Sequence, residues 1–154
     1  MSDGTKTIVS NRKARFEYHI DDRVEAGLVL TGTEVKSLRT GKANLQEAFC
    51  AAVGGELFLQ QCHIAPYAHG NRQNHDPLRP RKLLLHKKEI ERLAKASQQK
   101  GYTLIPLKLY FKNGRAKLEI GVGKGKKLHD KRADIAERES KRRLDRIRKG
   151  GDSD

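Results

Sequence analysis

The chain has 154 residues, with 33 Lys or Arg against 19 Asp or Glu and a formal net charge of +14. No apolar run reaches the length of a membrane span, and the N-terminus lacks the apolar core of a signal peptide, which argues against a membrane or secreted protein and favours the cytoplasm. The length suits one domain of roughly 120 residues. Such an excess of positive charge is typical of chains that bind polyphosphates, nucleic acids above all.

The charge is divided between a longer N-terminal part and a tail. Residues 124–149 hold twelve Lys or Arg and five acids, a net charge of +7, and residues 1–123 hold a net charge of +9. The tail favours helix but has only four large apolar side chains, too few to hold a helix against a core. We therefore expect residues 124–154 to be disordered in the free protein and to become helical on a partner.

Alternation of apolar and polar residues organises the first part of the chain. Residues 1–10 are predicted to be flexible, and strands are predicted over residues 15–20 and 24–30, with two aspartates between them. A short helix is predicted over residues 34–39, ended by Gly41.

A hairpin is predicted around Gly54-Gly55, because this dipeptide separates two apolar runs. A two-residue loop places Cys50 opposite Leu59 and not opposite Cys62, so we expect no disulfide between the two cysteines. Two cysteines in a chain of this length also agree with a reducing compartment.

A long polar loop is predicted over residues 66–80, and loops of that length are often functional. The next apolar pattern predicts a helix, with Ile90, Leu93 and Ala94 on one face and Gly101 after its end.

The strongest local signal is Asn113-Gly114, the dipeptide that favours a type I′ hairpin turn. The predicted register pairs residues from Lys112 with Arg115 to Leu107 with Ile120, and apolar pairs alternate with polar ones, so a slip of one residue would mix the two faces. One face is therefore predicted to pack inward, and the other to expose Lys108, Tyr110, Lys112, Arg115 and Lys117.

The predicted domain over residues 11–123 is mainly β. Short strands, tight turns and few helices favour a small antiparallel OB-like β-barrel, closed or partly closed, with flanking helices and the basic C-terminal tail. OB-type barrels bind nucleic acids on an open face.

Several side chains are candidates for RNA contact on chemical grounds alone. Tyr110 among lysines can stack on a base, and Lys13, Arg15 and Lys36 can contact phosphates. Each of these residues also has a simpler interpretation, as part of an ordinary solvated surface.

No pattern in the sequence indicates catalysis or a metal. His63, His69 and His75 recur at a spacing that fits no zinc site. The sequence also has no phosphate loop, no paired catalytic carboxylates and no Ser/His/Asp signature. We therefore predict a protein that is not an enzyme and needs no cofactor.

Five segments of the chain, in the same order and spacing, resemble the SsrA-binding (SmpB) family of bacterial trans-translation. They are NRKARFEY at 11–18, EAGLVLTGTEVKSLRTGKAN at 25–44, NHDPLRPRKLLLHKKEI at 74–90, LYFKNGRAKLEIGVGKGKKLHDKR at 109–132 and ERE at 137–139. The resemblance implies an OB-like barrel that binds the tRNA-like domain of transfer-messenger RNA and delivers it to stalled ribosomes, where the nascent peptide is tagged. It implies RNA contacts at Asn11, Glu25, Leu84 and Lys117.

The resemblance also implies a role for the tail, which in this family enters the empty mRNA path near the decoding centre of the ribosome. The implied ribosome-binding residues are Lys126, Lys127, His129, Asp130, Lys131 and Arg132, and the tail's charge adds Arg138, Lys141 and Arg142. Two other functions remain open from the residues alone. A ribosomal or ribosome-assembly protein would have a similar barrel and tail, whereas an RNA-modifying enzyme would need a catalytic constellation that the sequence lacks.

Overall fold

The structure is a computed structural model, and it describes residues 4–68, 74–126 and 128–150. Nine strands and four helices lie in these ranges. In chain order they are β1 (Thr5–Ser10), α1 (Arg12–Glu17), β2 (Tyr18–Leu28), α2 (Gly32–Arg39), β3 (Ala43–Asn44), β4 (Phe49–Val53), β5 (Glu56–Gln60), β6 (His63–Ile64), β7 (Arg81–Leu84), α3 (Lys87–Ser97), β8 (Tyr102–Lys112), β9 (Arg115–Gly125) and α4 (Leu128–Gly150).

Seven strands form one antiparallel sheet in the order β1-β8-β9-β2-β7-β5-β4, and β3 pairs with β6 in a separate small sheet. The large sheet curls so that β4 lies against β8, but its two edge strands do not pair with each other among the described residues. The predicted mainly β, OB-like architecture with flanking helices is therefore confirmed, as a barrel that stays open. The core inside the curl is aliphatic and includes Leu38, Leu45, Leu57, Leu59, Leu83, Leu93, Leu118 and Ile120.

The β8–β9 hairpin has the predicted register at its turn. Lys112 pairs with Arg115, and the pairing continues to Lys108 with Glu119. The register then shifts, so that Pro106 and not Leu107 pairs with Ile120, and the last predicted pair is wrong. The shift leaves the Leu107 carbonyl free to accept a hydrogen bond from the Asn11 amide at 2.8 Å.

The N-terminus differs from the sequence prediction. Residues 1–10 were expected to be flexible, but β1 pairs along the edge of β8 from Thr5 to Ser10. Its partly buried Ile8 and Val9 pack against the core, which gives this short segment enough apolar burial to be held in the sheet.

The segment predicted as a strand over residues 15–20 is also corrected. Its first part is the helix α1, because Asn11 caps the helix by accepting a hydrogen bond from the Ala14 amide at 3.3 Å. The strand begins at Tyr18 and runs through the two aspartates, with a register shift between Ile20 and Asp22.

The predicted β4–β5 hairpin is confirmed. Gly54 and Gly55 both have positive φ, at 60° and 80°, and Cys50 pairs with Leu59. Cys50 and Cys62 are buried free thiols, as expected. Burial raises the pKa of Cys50 to about 12 and that of Cys62 to about 11, so both remain protonated at neutral pH.

The short helix predicted over residues 34–39 is α2, and it carries a buried charge. Glu34 belongs to a capping box with Thr31, and its carboxylate also accepts from Arg81 Nε at 2.6 Å and from Arg79 Nη2 at 2.5 Å. Glu34 and Arg81 are both fully buried. This cluster ties α2 to the strand that follows the polar loop.

The loop predicted over residues 66–80 has no helix or strand in its described parts, 66–68 and 74–80; residues 69–73 lie outside the described ranges. The Asn74 side chain closes the loop by bonding both the amide and the carbonyl of Tyr67, at 3.1 and 2.7 Å. After the loop, the predicted helix is α3, which ends at Ser97 before Gly101, and Leu93 is its fully buried residue.

The tail forms the helix α4. The helical conformation that the sequence predicts for this segment on a partner is the one that the structure has over Leu128–Gly150. Its described side chains between Arg132 and Leu144 are exposed, which agrees with the predicted lack of a face to bury. It contacts the helix α1, where the guanidinium of Arg138 lies 5.0 Å from the centre of the Phe16 ring. None of the described helices is long and apolar enough to cross a membrane.

Candidate nucleic-acid interface

The side of the sheet turned away from the core brings several predicted RNA contacts together. Thr7, Tyr110, Lys117, Gly27 and Leu84 are successive cross-strand partners on β1, β8, β9, β2 and β7. Partners directly opposite each other project to the same side of a sheet. We call this side the outer face and define it by Glu25, Leu84, Lys108, Tyr110, Lys112, Lys117 and Glu119.

Leu84 is an exposed apolar side chain on this face. A Cβ atom on Gly27 would lie 3.3 Å from the Cβ of Leu84, so the leucine lies over the glycine. Leu84 is 51% exposed, and its cross-strand neighbour beyond Gly27 is Lys117. An apolar group beside a cation can contact a base or ribose while the cation holds a phosphate.

Glu25 is held in place by its neighbours. The Tyr110 hydroxyl donates a hydrogen bond to Glu25 Oε2, and Lys112 Nζ lies 3.4 Å from the same oxygen. The hydrogen bond from Tyr110, with Lys112 and Lys117 nearby, lowers the pKa of Glu25 despite partial desolvation. Glu25 is therefore an ionised acceptor beside Lys112 and Lys117, of a kind that exocyclic amines or 2′-hydroxyls can donate to.

The expectation that Tyr110 is exposed to solvent is wrong. Its side chain does lie on the outer face, but it is only 6% exposed, with Thr7 of β1 opposite and Lys108 Nζ 5.0 Å from the ring centre. Burial and the Glu25 carboxylate raise the pKa of Tyr110. A covered ring cannot stack on a base, and the hydroxyl of Tyr110 is hydrogen-bonded to Glu25.

The helix α1 covers the other end of the outer face. Ala14 packs there in a small cluster with Ile105 and Leu107. The strand β9 leaves room for this layer at Gly121 and Gly123, where a Cβ would lie 2.8 Å from Leu107 Cδ1 and 2.7 Å from the His19 carbonyl oxygen respectively. The helix α1 is thereby attached to the sheet at Ile105 and Leu107.

The residues predicted to contact RNA within α1, just before it and on α2 differ in their surroundings. Both ends of the Asn11 side-chain amide bond within the fold, since Nδ2 donates to the Pro106 carbonyl at 3.0 Å and Oδ1 caps the helix. Lys13 Nζ lies 3.8 Å from Glu17 Oε1, and Arg15 is exposed. Lys36 belongs to α2, where its described contact is with the ring of Tyr67, 5.4 Å away.

The predicted tail residues are described only in part. Lys126 donates its backbone amide to the Glu17 carbonyl at 2.8 Å, which ties the start of the tail to the end of α1. Lys127 lies outside the described residues. His129, Asp130 and Lys131 fall in the first turn of α4, and their side chains lie outside the described set. The remaining predicted residues of the tail, Arg132, Arg138, Lys141 and Arg142, are exposed on α4.

The described residues do not provide a metal site. Within the ranges that the structure describes, no three His, Cys, Asp or Glu side chains are grouped so that they can hold a metal ion. The outer face instead has cations, the ionised Glu25 and the exposed Leu84 on one surface. These features define a small OB-like protein with a basic outer face and a basic helical tail.

Comparison with known proteins places the chain in a family. The family model for the SmpB protein matches residues 8–150, and the chain belongs to this family. Proteins called SsrA-binding protein are similar over nearly all of it. The one from Syntrophomonas wolfei is 59% identical over 143 residues, which cover 93% of this chain and 91% of that protein. The one from Geobacter sulfurreducens is 57% identical over 141 residues, which cover 92% of each chain.

A solved structure supports the same assignment. A chain from work on tmRNA–SmpB at the center of the bacterial ribosome is 50% identical to this one and superposes with a TM-score of 0.66. The match covers 78% of this chain and 85% of that chain.

Proposed function

We propose that this protein is an RNA-binding adaptor that binds the tRNA-like domain of transfer-messenger RNA and delivers it to stalled ribosomes for trans-translation. Membership of the SmpB family, relatives named for binding SsrA, and a structural relative studied with tmRNA and the ribosome support the proposal. The structural observation that supports it best is the row of cross-strand partners on the outer face, which places Lys117 and Leu84 beside Glu25.

Each group on this row has a separate task. Lys117 contacts a phosphate, which contributes affinity but little sequence preference. Leu84 packs on an unpaired base or a ribose, and Glu25 accepts a hydrogen bond from an amine or a 2′-hydroxyl. Contacts of this kind recognise the folded shape of an RNA, and a tRNA-like domain is a folded RNA.

The tail supplies the second half of the function. Residues 124–154 occupy the mRNA path that a stalled ribosome leaves empty, and the helix forms the body of this probe. The 23 residues of α4 span about 35 Å at 1.5 Å per residue. The contacts with ribosomal RNA come from Lys126, Lys127, His129, Asp130, Lys131, Arg132, Arg138, Lys141 and Arg142.

The protein works by binding and positioning, without catalysis and without a cofactor, and it acts in the cytoplasm where ribosomes translate. The family match supports this view, because it is a match to an RNA-binding family. A message that already fills the channel excludes the tail, so actively translating ribosomes are spared.

A truncation separates the two halves of the function. A stop codon after Lys126 retains all of β9 and the hydrogen bond from Lys126 to Glu17, and removes α4. We expect this variant to bind the tRNA-like domain with an affinity near that of the full chain but to support no peptide tagging in a reconstituted translation system. The matched variant Lys117→Ala keeps the tail and weakens RNA binding. Normal tagging by the truncated chain would refute the role of the tail.

A further inference from the structure

The outer side of the sheet continues beyond Leu84 onto β5 and β4, where most of its side chains are apolar. Lys82 lies two residues before Leu84 on β7, so the two side chains project to the same side. Lys82 pairs with Phe58 of β5, and Phe58 pairs with Ala51 of β4, which places these residues on that side as well. We call this part of the sheet the apolar strip and define it by Val29, Phe49, Ala51, Val53, Phe58 and Leu84.

The apolar strip holds most of the exposed large apolar side chains of the described barrel. Val29, Phe49, Val53 and Leu84 are each between 43% and 54% exposed. Val29 belongs to the strip because its amide donates to the Lys82 carbonyl at 3.0 Å, which continues the pairing of β2 with β7. Single exposed apolar residues are normal on a protein surface, whereas a contiguous group of them indicates a contact surface.

Phe58 lies at the centre of the apolar strip. It is partly buried, but among the described residues it is not one of the apolar side chains that pack against the two core clusters. Its partner Ala51 is small and leaves room for a flat group beside the ring. Its other partner, Lys82, has Nζ 2.9 Å from Glu56 Oε1, so that cation is already paired. The surroundings of Phe58 therefore suit an uncharged, flat group better than a phosphate.

The position of the apolar strip indicates that this flat group is a nucleobase. Leu84 belongs both to the strip and to the outer face, where Lys117 is its neighbour beyond Gly27. RNA is recognised by aromatic and apolar side chains that stack on unpaired bases, near cations that hold the backbone. A stable protein–protein interface takes about 20–30 residues from each partner, and the strip is much smaller than that.

We propose that Phe58 and Leu84 form a base-stacking surface, on which unpaired bases of the tRNA-like domain stack while Lys117 holds the backbone. Three strand spacings separate Lys117 on β9 from Phe58 on β5, about 14 Å, so the two side chains contact different nucleotides. The stacking role that the sequence suggested for the buried Tyr110 belongs to Phe58 instead. This inference rests on the proposed function.

The variant Phe58→Leu in the full-length chain tests the stacking surface. It keeps an apolar side chain but removes the aromatic ring, and we expect about a fivefold to tenfold loss of affinity for the tRNA-like domain. The slope of log K against log salt should stay the same, because no phosphate contact is lost. Phe58→Tyr keeps the ring and should bind within about twofold of the unaltered chain. Equal losses for the leucine and tyrosine variants would overturn the proposal.

A matched variant controls for effects on stability. Phe111 is also a partly buried phenylalanine, but it packs against the core, so Phe111→Leu should lower the free energy of unfolding without changing RNA affinity. The proposal is refuted if Phe58→Leu and Phe111→Leu bind the RNA equally well. Unchanged RNA affinity of Phe58→Leu with weaker binding to ribosomes would also refute it, and would assign the apolar strip to a protein of the ribosome.

A fluorescent probe reports on the stacking itself. The chain contains no tryptophan, so Phe58→Trp introduces a single indole ring into the apolar strip. We expect the tRNA-like domain to quench the emission of this ring, because a base stacks on it. Lys95→Trp, at an exposed position of α3, is the control and should keep its emission. Equal changes in emission at the two positions would contradict stacking at Phe58.

The variant Lys117→Ala separates failure of the stacking surface from failure of the proposed function. If Lys117→Ala weakens RNA binding while Phe58→Leu binds like the unaltered chain, the stacking surface is refuted and RNA binding by the outer face stands. If the unaltered chain itself does not bind the tRNA-like domain, the proposed function is wrong and the stacking surface is refuted with it.

Discussion

The hydroxyl of Tyr110 donates a hydrogen bond to the carboxylate of Glu25, from a strand two places away in the sheet. Tyr110 is the buried aromatic residue of the outer face, and Glu25 is the acid on that face whose pKa is lowered. We therefore propose that Tyr110, which the sequence led us to expect as a stacking group, positions the Glu25 carboxylate instead.

Replacing Tyr110 by Phe should therefore change the pKa of Glu25. The ring stays, and the hydrogen bond that contributes most to the lowered pKa of Glu25 is lost, so that pKa should rise toward its usual value of 4.5. RNA affinity should fall about threefold to tenfold, the scale of one lost hydrogen bond. Carbon-detected NMR titration of the Glu25 carboxyl checks the first effect, and an unchanged titration would contradict the proposed positioning role.

Lys117→Ala tests the phosphate contact on the outer face. Loss of one contact should weaken RNA binding and reduce the slope of log K against log salt by about 0.7 to 0.9. Binding isotherms between 50 and 200 mM salt measure both quantities. Lys88→Ala, at an exposed position of α3, serves as the control and should leave the slope unchanged. An equal slope for the two variants would show that Lys117 touches no phosphate.

The buried pair of Glu34 and Arg81 makes a prediction about stability and pH. Burial alone raises the pKa of Glu34, but hydrogen bonds from Arg79, Thr31 and Arg81 outweigh it, so the folded-state pKa lies below 4.5. The ionised carboxylate therefore stabilises the fold above pH 4.5, and this contribution is lost as the pH falls through the lowered value.

Glu34→Gln should consequently lower the free energy of unfolding by about 3–5 kcal/mol at pH 7, because Arg81 is left as an unpaired buried charge. The difference in the free energy of unfolding between this variant and the unaltered chain should become smaller below pH 4.5. Urea unfolding from pH 7 to pH 3.5 measures it. The exposed pair of Glu56 with Lys82 is the control, and Glu56→Gln should cost less than about 1 kcal/mol. A constant difference at every pH would refute the assigned ionisation.

The two glycines under α1 should differ in their tolerance of alanine. At Gly121 the added Cβ meets the tip of Leu107, which can rotate, whereas at Gly123 it meets the His19 carbonyl oxygen at 2.7 Å. We expect Gly123→Ala to lower the free energy of unfolding by about 1–3 kcal/mol, and Gly121→Ala by clearly less. Urea unfolding of both variants measures the difference, and the reverse order would contradict the close approach of the His19 carbonyl to Gly123.

Local chemistry made part of this structure predictable. Asn113-Gly114 and the alternating pairs beside it determine the hairpin register, and Gly54-Gly55 does the same for the other hairpin. The position of Lys117 on the outer face followed from that register. Glu25 and Leu84 carry no such local signal, and only the resemblance to a family pointed to them.

The remaining features depend on contacts between distant parts of the chain. The shift at Leu107 depends on the amide of Asn11, which is far away in sequence. The burial of Tyr110 depends on β1, whose sequence alone does not show that it pairs with β8. Alternation in the segment before Ile20 suggested a strand, but packing of Ala14 on Ile105 stabilises a helix there.

The most direct test that this protein binds transfer-messenger RNA is to identify the RNA bound to the full-length protein in cells. An affinity-tagged copy is isolated under gentle salt conditions, and the bound RNA is sequenced and quantified against the protein. We predict one dominant species, transfer-messenger RNA, at a ratio near one to one, and its loss from a Lys117→Ala, Glu25→Ala double variant. Recovery of ribosomal RNA without transfer-messenger RNA would contradict it and would indicate a structural or assembly role on the ribosome.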